Sequence, residues 1–253
     1  MAAGFIAASS QGLLNSAAPV TAVPFTVSLW FKSTAAGVSG TIFSVQDTAA
    51  DDQGWSLFKT TGNTLDFGAY SGATYGSGAV TSGTVSDSKW HFIVYRAITT
   101  ANRRGSLLLE SGAIEHVQST VSLTPTSVDA VSVGYAPWGP PTGNGDYFEG
   151  AVAEFTLWNV DIQDDGAQLQ NTTLLRLARG GPFSLPHAKD NIIEYRSFRS
   201  RLTSDADRPV EIYAGTGKMR QTWTNTNSAT LAAHVPLPGN YLAPINPPRF
   251  QMV

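Results

Sequence analysis

At residues 24–32 the chain reads PFTVSLWFK. Phe25, Val27, Leu29 and Phe31 fall at every second position, and Thr26, Ser28 and Lys32 take the positions between, beside Trp30. Successive side chains of an extended strand leave opposite faces, so alternation this regular predicts a strand with one buried face. Comparable stretches recur as TIFSVQ (41–46), GWSLFK (54–59), TLDFGAY (64–70), KWHFIVYRAIT (89–99), GSLLLE (105–110), AIEHVQ (113–118), VDAVSVGY (128–135) and YFEGAVAEFTLWN (147–159). Turn formers such as TTGN, TANRRG, ESG and PPTGNGD separate them. Short strands at this spacing with no helices between them predict an antiparallel sandwich. The 24 glycines and 14 prolines supply its turns, and 42% apolar residues supply a sizeable core.

One short helix is expected within VDIQDDGAQLQNTTLLRLARGG. Asp161, Asp164 and Asp165 stand near its start, Arg176 and Arg179 near its end, and Gly180 and Gly181 stop it. Beyond it the character of the chain changes. YRSFRSRL is basic, VEIYAG and RQTWTN read as short strands, and the chain closes on HVPLPGNYLAPINPPRFQMV. Pro236, Pro238, Pro244, Pro247 and Pro248 exclude a helix in that last segment and favour an extended arm with little chain entropy left to lose on docking. Residues 1–180 are therefore read as a β-sandwich domain and 181–253 as an extension ending in a Pro-rich arm.

The net charge of −3 points to neither a nucleic-acid nor a membrane partner. It conceals an asymmetry. Residues 1–180 carry 8 Lys and Arg against 14 Asp and Glu, whereas residues 181–253 carry 8 against 5. The extension is thus suited to an acidic surface such as a neighbouring copy. Arg196, Arg199, Arg201 and Arg208 lack interleaved aromatic platforms, so they read as a solvated or pairing face. With no cysteine there is no disulfide and no thiolate metal site, which suits a reducing compartment. The start, MAAGFIAASSQGLL, lacks the basic residue and unbroken apolar run of a secretion signal, so synthesis in the cytoplasm without export is expected.

The search for chemistry turns on few groups. His91, next to Trp90, shares a strand face with Ile93, Tyr95 and Ala97, and is read as a packing residue. His116 reads as solvated, and His187 and His234 sit by prolines with no acidic cluster. No G-x-S-x-G or H-E-x-x-H occurs. Trp138, in a loop between prolines, and Tyr70 and Tyr75 are the candidate platform residues. They are read as interface anchors, with a sugar platform as the alternative. Tyr241, Leu242, Ile245, Phe250 and Met252 are the apolar anchors of the arm.

Four segments in order carry a resemblance: the early strand ending near Trp30, SDSKWHFIV at 86–94, the G-x-hydrophobic hairpin at 105–114, and DYFEGAVAEF at 146–155. Over residues 5–170 the chain resembles the laminin-G-like, concanavalin A-like lectin and glucanase jelly-roll family. The stretch from LARGGPFSLP to AAHVPLPG also resembles the tail that follows this domain in structural proteins of tailed bacteriophages. The resemblance implies an all-β, antiparallel two-sheet jelly-roll sandwich with one short helix and an extended Pro-rich C-terminal arm. Some relatives are glucanases, whose retaining mechanism needs two carboxylates about 5–5.5 Å apart. Glu149 and Glu154, like Glu110 and Glu115, are spaced by an odd number, which on an unbroken strand sends them to opposite faces, so no enzyme is expected. Relatives that hold calcium make Asp47, Asp51, Asp52 and Asp146 candidate ligands, with an acidic solvated turn as the plainer reading. No other cofactor is implied.

The function expected on these grounds is that of a phage virion protein. The first form is a capsid decoration or cement protein that binds the major capsid protein, tail components and copies of itself through buried surface. The alternative is a carbohydrate-binding module or tail-fibre adhesin for host-surface glycans.

Overall fold

The structure, a computed structural model, describes residues 2–49, 53–72, 74–77, 79–80, 84–136, 147–163, 167–196, 224–226 and 230–232. The described residues form sixteen strands: β1 (Ala2–Phe5), β2 (Gly12–Asn15), β3 (Phe25–Ser33), β4 (Gly40–Gln46), β5 (Gln53–Lys59), β6 (Leu65–Ser71), β7 (Thr74–Gly76) and β8 (Ala79–Val80). The second half supplies β9 (His91–Thr99), β10 (Asn102–Leu108), β11 (Ile114–Ser119), β12 (Ala130–Val133), β13 (Gly150–Trp158), β14 (Ile192–Arg196), β15 (Thr224–Thr226) and β16 (Thr230–Ala232). One helix, α1, runs over Asn171–Gly180.

These strands form two antiparallel sheets of the jelly-roll kind. Sheet A runs β11-β10-β9-β3-β13-β1-β16, with β14 also on β13, and sheet B runs β15-β2-β12-β4-β5-β6-β7, with β8 on β6. The alternating residues meet between them. Phe25, Val27, Leu29, Phe31, Ile93 and Tyr95 of sheet A pack against Phe43, Val45, Trp55, Leu57, Phe67 and Val131 of sheet B. Phe67 lies parallel to Tyr95, with ring centroids 5.7 Å apart. Gly105 on β10 makes room for it, because a Cβ there would stand 2.3 Å from the Phe67 ring.

The expectation that β3 is buried on one face only is corrected. Thr26 and Ser28, on its outer face, are buried too. The outer face of sheet A has a second apolar layer, in which Phe92, Val94 and Trp158 meet Leu174, Leu177 and Ala178 of α1 with Ile162, Leu169 and Leu185. The helix also begins later than the acidic residues suggested. Its first residue is Asn171, and Asp161 lies ten positions earlier. The cause is Arg96, whose guanidinium is only 1% exposed on the outer face of β9. Its Nε and Nη2 donate to both carboxylate oxygens of Asp161 at 2.5 and 2.7 Å, and Nη1 donates to the Ala167 carbonyl at 2.6 Å. A buried guanidinium needs that bidentate partner more than a helix start needs an acid.

β13 is interrupted as well. Its pairing with β3 shifts register between Ala153 and Thr156, and Glu154 there takes a positive φ of 53°. The extra residue of this bulge is what brings Phe155 and Leu157, rather than their neighbours, into the core with Val152. The described parts of the C-terminal extension join the sandwich: β14 pairs β13, β15 pairs β2 in sheet B, and β16 pairs β1 in sheet A.

Candidate functional site

The outer face of sheet A packs against α1. The other broad face of the sandwich is the outer face of sheet B, whose floor residues Thr41, Ser44, Gln46, Ser56, Asp66, Ala130 and Ser132 are buried as well. Its residues are the alternate partners of the core residues on each strand. Register places Leu14, Ser132, Ser44, Ser56 and Gly68 side by side across five strands. On one side of this row come Ala130, Gln46, Gly54, Tyr70 and Tyr75. On the other come Thr41, Phe58 and Asp66. The floor is thus made of small and hydroxyl-bearing residues, where the opposite sheet carries an apolar layer.

Two pairs of stacked tyrosines stand on this floor. Tyr70 and Tyr75 are 4.6 Å apart, with Phe58 a further neighbour of Tyr75 at 6.1 Å. Tyr135 and Tyr147 are parallel at 5.5 Å. Glycine is required under each pair. A Cβ on Gly68 would come within 2.4 Å of the Tyr75 ring, and one on Gly12 within 2.1 Å of the Tyr135 ring. Tyr70 itself is 6% exposed and backs the Tyr75 ring. Tyr75, Phe58 and Tyr147 keep part of their surface in solvent.

The polar groups of this face are unevenly satisfied. Ser44 and Ser132 bond to each other at 2.7 Å, and the Ser132 hydroxyl reaches the Tyr135 carbonyl at 2.5 Å. Ser56 Oγ, next in the row and 3% exposed, has no hydrogen-bond partner among the described residues, and neither has Thr41 Oγ1. Tyr75 Oη lies close to Asp66 and Tyr70 without a hydrogen bond of good geometry. Burial first, then those two neighbours, pushes its pKa far above the ordinary phenol value, so it remains a neutral O–H donor. Every buried hydroxyl that lacks a partner among the described residues is therefore on this one face. The other unpartnered atoms are ring or guanidinium nitrogens of Trp55, Trp158, Arg103 and Arg104. Asp66 accepts from Ser77 Oγ at 2.6 Å and is the only charged side chain among the described residues of this face.

The remaining candidates fall as follows. His91 is a strut. Its Nδ1 accepts the Glu110 N–H at 3.4 Å, so Nε2 carries the proton and donates to Asp87 at 2.9 Å, while the ring packs on Phe31. Burial raises the Asp87 carboxyl, but its bonds from His91 and the Lys89 N–H outweigh this and leave it below its ordinary value. His116 is not solvated but bonded at both nitrogens, to Ser106 Oγ at 2.9 Å and Asn171 Oδ1 at 2.8 Å, and so ties α1 to β10. His187 donates to the Ile162 carbonyl at 3.1 Å.

The glutamates fall on different features, and because β13 is not unbroken at Glu154 the odd-spacing argument does not apply to Glu149 and Glu154. Glu149 precedes the first residue of β13, Glu154 sits in the bulge and accepts from the Tyr195 hydroxyl, and Glu110 pairs with exposed Lys89 at 3.1 Å. Asp47 is turned into its own loop, where it accepts the Ala49 N–H at 2.7 Å. Asp51, Asp52 and Asp146 lie outside the described residues, and among the described residues no three metal-ligating side chains converge. Trp138 and the arm anchors Tyr241, Leu242, Ile245, Phe250 and Met252 also lie outside them. The serine row escaped the sequence reading altogether; its only trace was a serine at the outward position of three separate strands.

A family model described as the concanavalin A-like lectin/glucanases superfamily matches residues 7–165. No curated protein matches the chain. Among solved structures, a Bacteroides ovatus protein described as carbohydrate binding aligns with a TM-score of 0.53 and 13% identity, over 91% of this chain and 60% of that one. The CBM40 of the Ruminococcus gnavus IT-sialidase, bound to α2,3-sialyllactose, gives 0.50 and 12%, over 68% of this chain and 94% of that one. Domains LG4-5 of the mouse laminin α1 chain give 0.47 and 17%, over 67% of this chain and 43% of that one. The chain thus spans less than two thirds of the laminin fragment and of the Bacteroides protein, and at these identities the likeness is one of fold.

Proposed function

The chain belongs to the concanavalin A-like lectin/glucanases superfamily, and from that premise we propose that it is a carbohydrate-binding module whose ligand lies on the outer face of sheet B. The observation that carries this reading is the gathering of unpartnered buried hydroxyls, Thr41, Ser56 and Tyr75, on that single face. A buried hydroxyl without a partner costs about 1–3 kcal/mol, and natural folds seldom leave several together without a use for them. A sugar fits both halves of the surface. Its hydroxyls donate and accept in turn, as serine and threonine require, and its C–H faces lie on aromatic rings such as Tyr75, Phe58 and Tyr147. The carbohydrate-binding descriptions of the Bacteroides and Ruminococcus proteins support the reading.

Binding is favoured over turnover. Glycoside hydrolysis uses two carboxyl groups, and Asp66 is the single carboxylate on this face among the described residues. Of the two phage settings, the glycan-recognising adhesin agrees with this face. The capsid-decoration form rests on residues 236–253, which lie outside the described residues.

Glycan-array screening followed by calorimetry tests the proposal. Ser56→Ala removes one hydroxyl that makes no hydrogen bond among the described residues, so the fold should persist while affinity for the selected glycan falls at least about fivefold, the loss of one good hydrogen bond. A chain that selects no glycan, or a variant that binds as well as the parent, refutes the site.

A further inference from the structure

We infer that residues 224–226 and 230–232 form a clasp on residues 2–15, and that clasp and N-terminal segment open together while the rest of the sandwich stays closed. This conformational device does not depend on the carbohydrate-binding reading. The order of strands sets it up. β1 lies in sheet A and β2 in sheet B, so the N-terminal segment crosses from one sheet to the other. The clasp crosses back beside it. Ala2, Ala3 and Gly4 of β1 face Ala232, Leu231 and Thr230 of β16, and Gly12, Leu13 and Leu14 of β2 face Thr226, Asn225 and Thr224 of β15. Each N-terminal strand is four residues long, with the clasp on one side and the body of the sandwich on the other, β13 for β1 and β12 for β2. Loss of the clasp would turn both into edge strands at once.

Stability is unevenly spread over the fold. β3 sends Phe25, Val27, Leu29 and Phe31 into the core, whereas the N-terminal segment sends Phe5 and Leu13. A segment with few core side chains and short ladders belongs to the low-stability end of a structure and opens ahead of the rest. The extension is anchored beside it by β14, where the buried Glu194 carboxylate accepts from Asn15 Nδ2, at the end of β2, at 3.3 Å. The segment is also the seat of a ring pair. Phe5 lies on Gly134, where a Cβ would stand 2.6 Å from its ring, and Tyr135 lies on Gly12. Tyr135 in turn stacks on Tyr147. Opening the clasp therefore unseats Gly134 and Tyr135 as well, so the two ends of this fold govern one of the tyrosine pairs on sheet B.

With no cysteine in the sequence, an engineered cross-link in the full chain has no competing thiol. Leu14→Cys with Thr224→Cys ties β2 to β15, in sheet B only. Hydrogen exchange followed by mass spectrometry compares the oxidised and reduced forms of this variant. The expected result is exchange at least about tenfold slower on oxidation in three places: residues 12–15, residues 2–5 in sheet A, and residues 134–136. Slowing confined to 12–15 overturns the inference, because the two halves then open independently. Slowing spread equally over β3, β9 and β13 overturns it too, since the opening would then be global. A cross-link that fails to form, or that forms between two molecules, refutes the pairing of clasp and segment within one chain. The double variant Asn225→Pro with Leu231→Pro works in the opposite direction. It should speed exchange at the same three places at least about tenfold and leave β3 and β9 protected. Unchanged exchange, or loss of protection in β3 and β9 alike, counts against the clasp.

Discussion

Replacing Asp161 by alanine should be among the most damaging single changes in this fold. Arg96 is 1% exposed, and four bonds hold its guanidinium: two to Asp161 at 2.5 and 2.7 Å, one to the Ala167 carbonyl at 2.6 Å and one to the Gln163 carbonyl at 3.4 Å. Asp161→Ala removes the two charge-assisted bonds and the only carboxylate bonded to Arg96 among the described residues, and leaves the cation against the Ala167 and Gln163 carbonyls. It also removes the bond from the Gln163 N–H to Asp161, at 3.2 Å, that shapes the loop itself. Breaking a buried pair by deleting one partner costs about 3–5 kcal/mol. For a domain of this size that is a fall in Tm of about 6–20 °C. Chemical denaturation followed by tryptophan fluorescence gives the free energy directly. The double variant Arg96→Met with Asp161→Ala separates the pair from the packing. With no charge left to orphan, it should be less destabilised than the sum of the two single variants by about 2–3 kcal/mol. A loss under about 1 kcal/mol for Asp161→Ala, or additivity in the double variant, would refute the view that this ion pair ties the 160s loop to β9.

Three further outcomes follow from the same reasoning. Gly105→Ala places a methyl 2.3 Å from the Phe67 ring between the sheets and should cost about 1–3 kcal/mol by denaturation, whereas Gly112→Ala, where nothing lies within 4 Å, should show only the smaller strain of its positive φ. The Asp87 carboxyl is held below its ordinary value of 3.8 in the folded chain, so the unfolded chain binds the proton first and stability falls as pH drops through that range. Asp87→Asn should therefore flatten the acid limb of stability between about pH 5 and 2, and parallel limbs for the two proteins would contradict the strut. Lys59 has its pKa lowered by burial, so folded-state stability should rise as pH climbs toward its ordinary 10.5, a rise that Lys59→Met abolishes; equal alkaline limbs would count against its burial.

The strand content was legible because strand burial has a period of two, and a period of two is written in the order of residues. PFTVSLWFK and KWHFIVYRAIT announce β3 and β9 unaided, including the two-sided packing of β9. Glycines at 12, 68 and 105 were visible as glycines, yet nothing local says that Tyr135, Tyr75 and Phe67 would come to rest on them. Asp161 illustrates the limit in the other direction. Local rules send an acid to a helix start, and they lost to a guanidinium 65 positions away in sequence. The bulge at Glu154 was hidden for a related reason: which residue of a strand is skipped depends on what the partner strand must bury, and β3 lies far from it in the chain.

By itself, then, the order of amino acids determined an all-β chain with an apolar interior, because the alternation that makes a strand amphipathic is a relation between neighbours. Tertiary structure alone decided which hydroxyls come together. Ser44, Ser56 and Ser132 become one row only when β12, β4 and β5 pair in a particular register, and a shift of one residue would bury them in the core and turn Val45, Trp55 and Val131 outward. The hydroxyls were in the sequence from the start; their convergence is a property of the pairing.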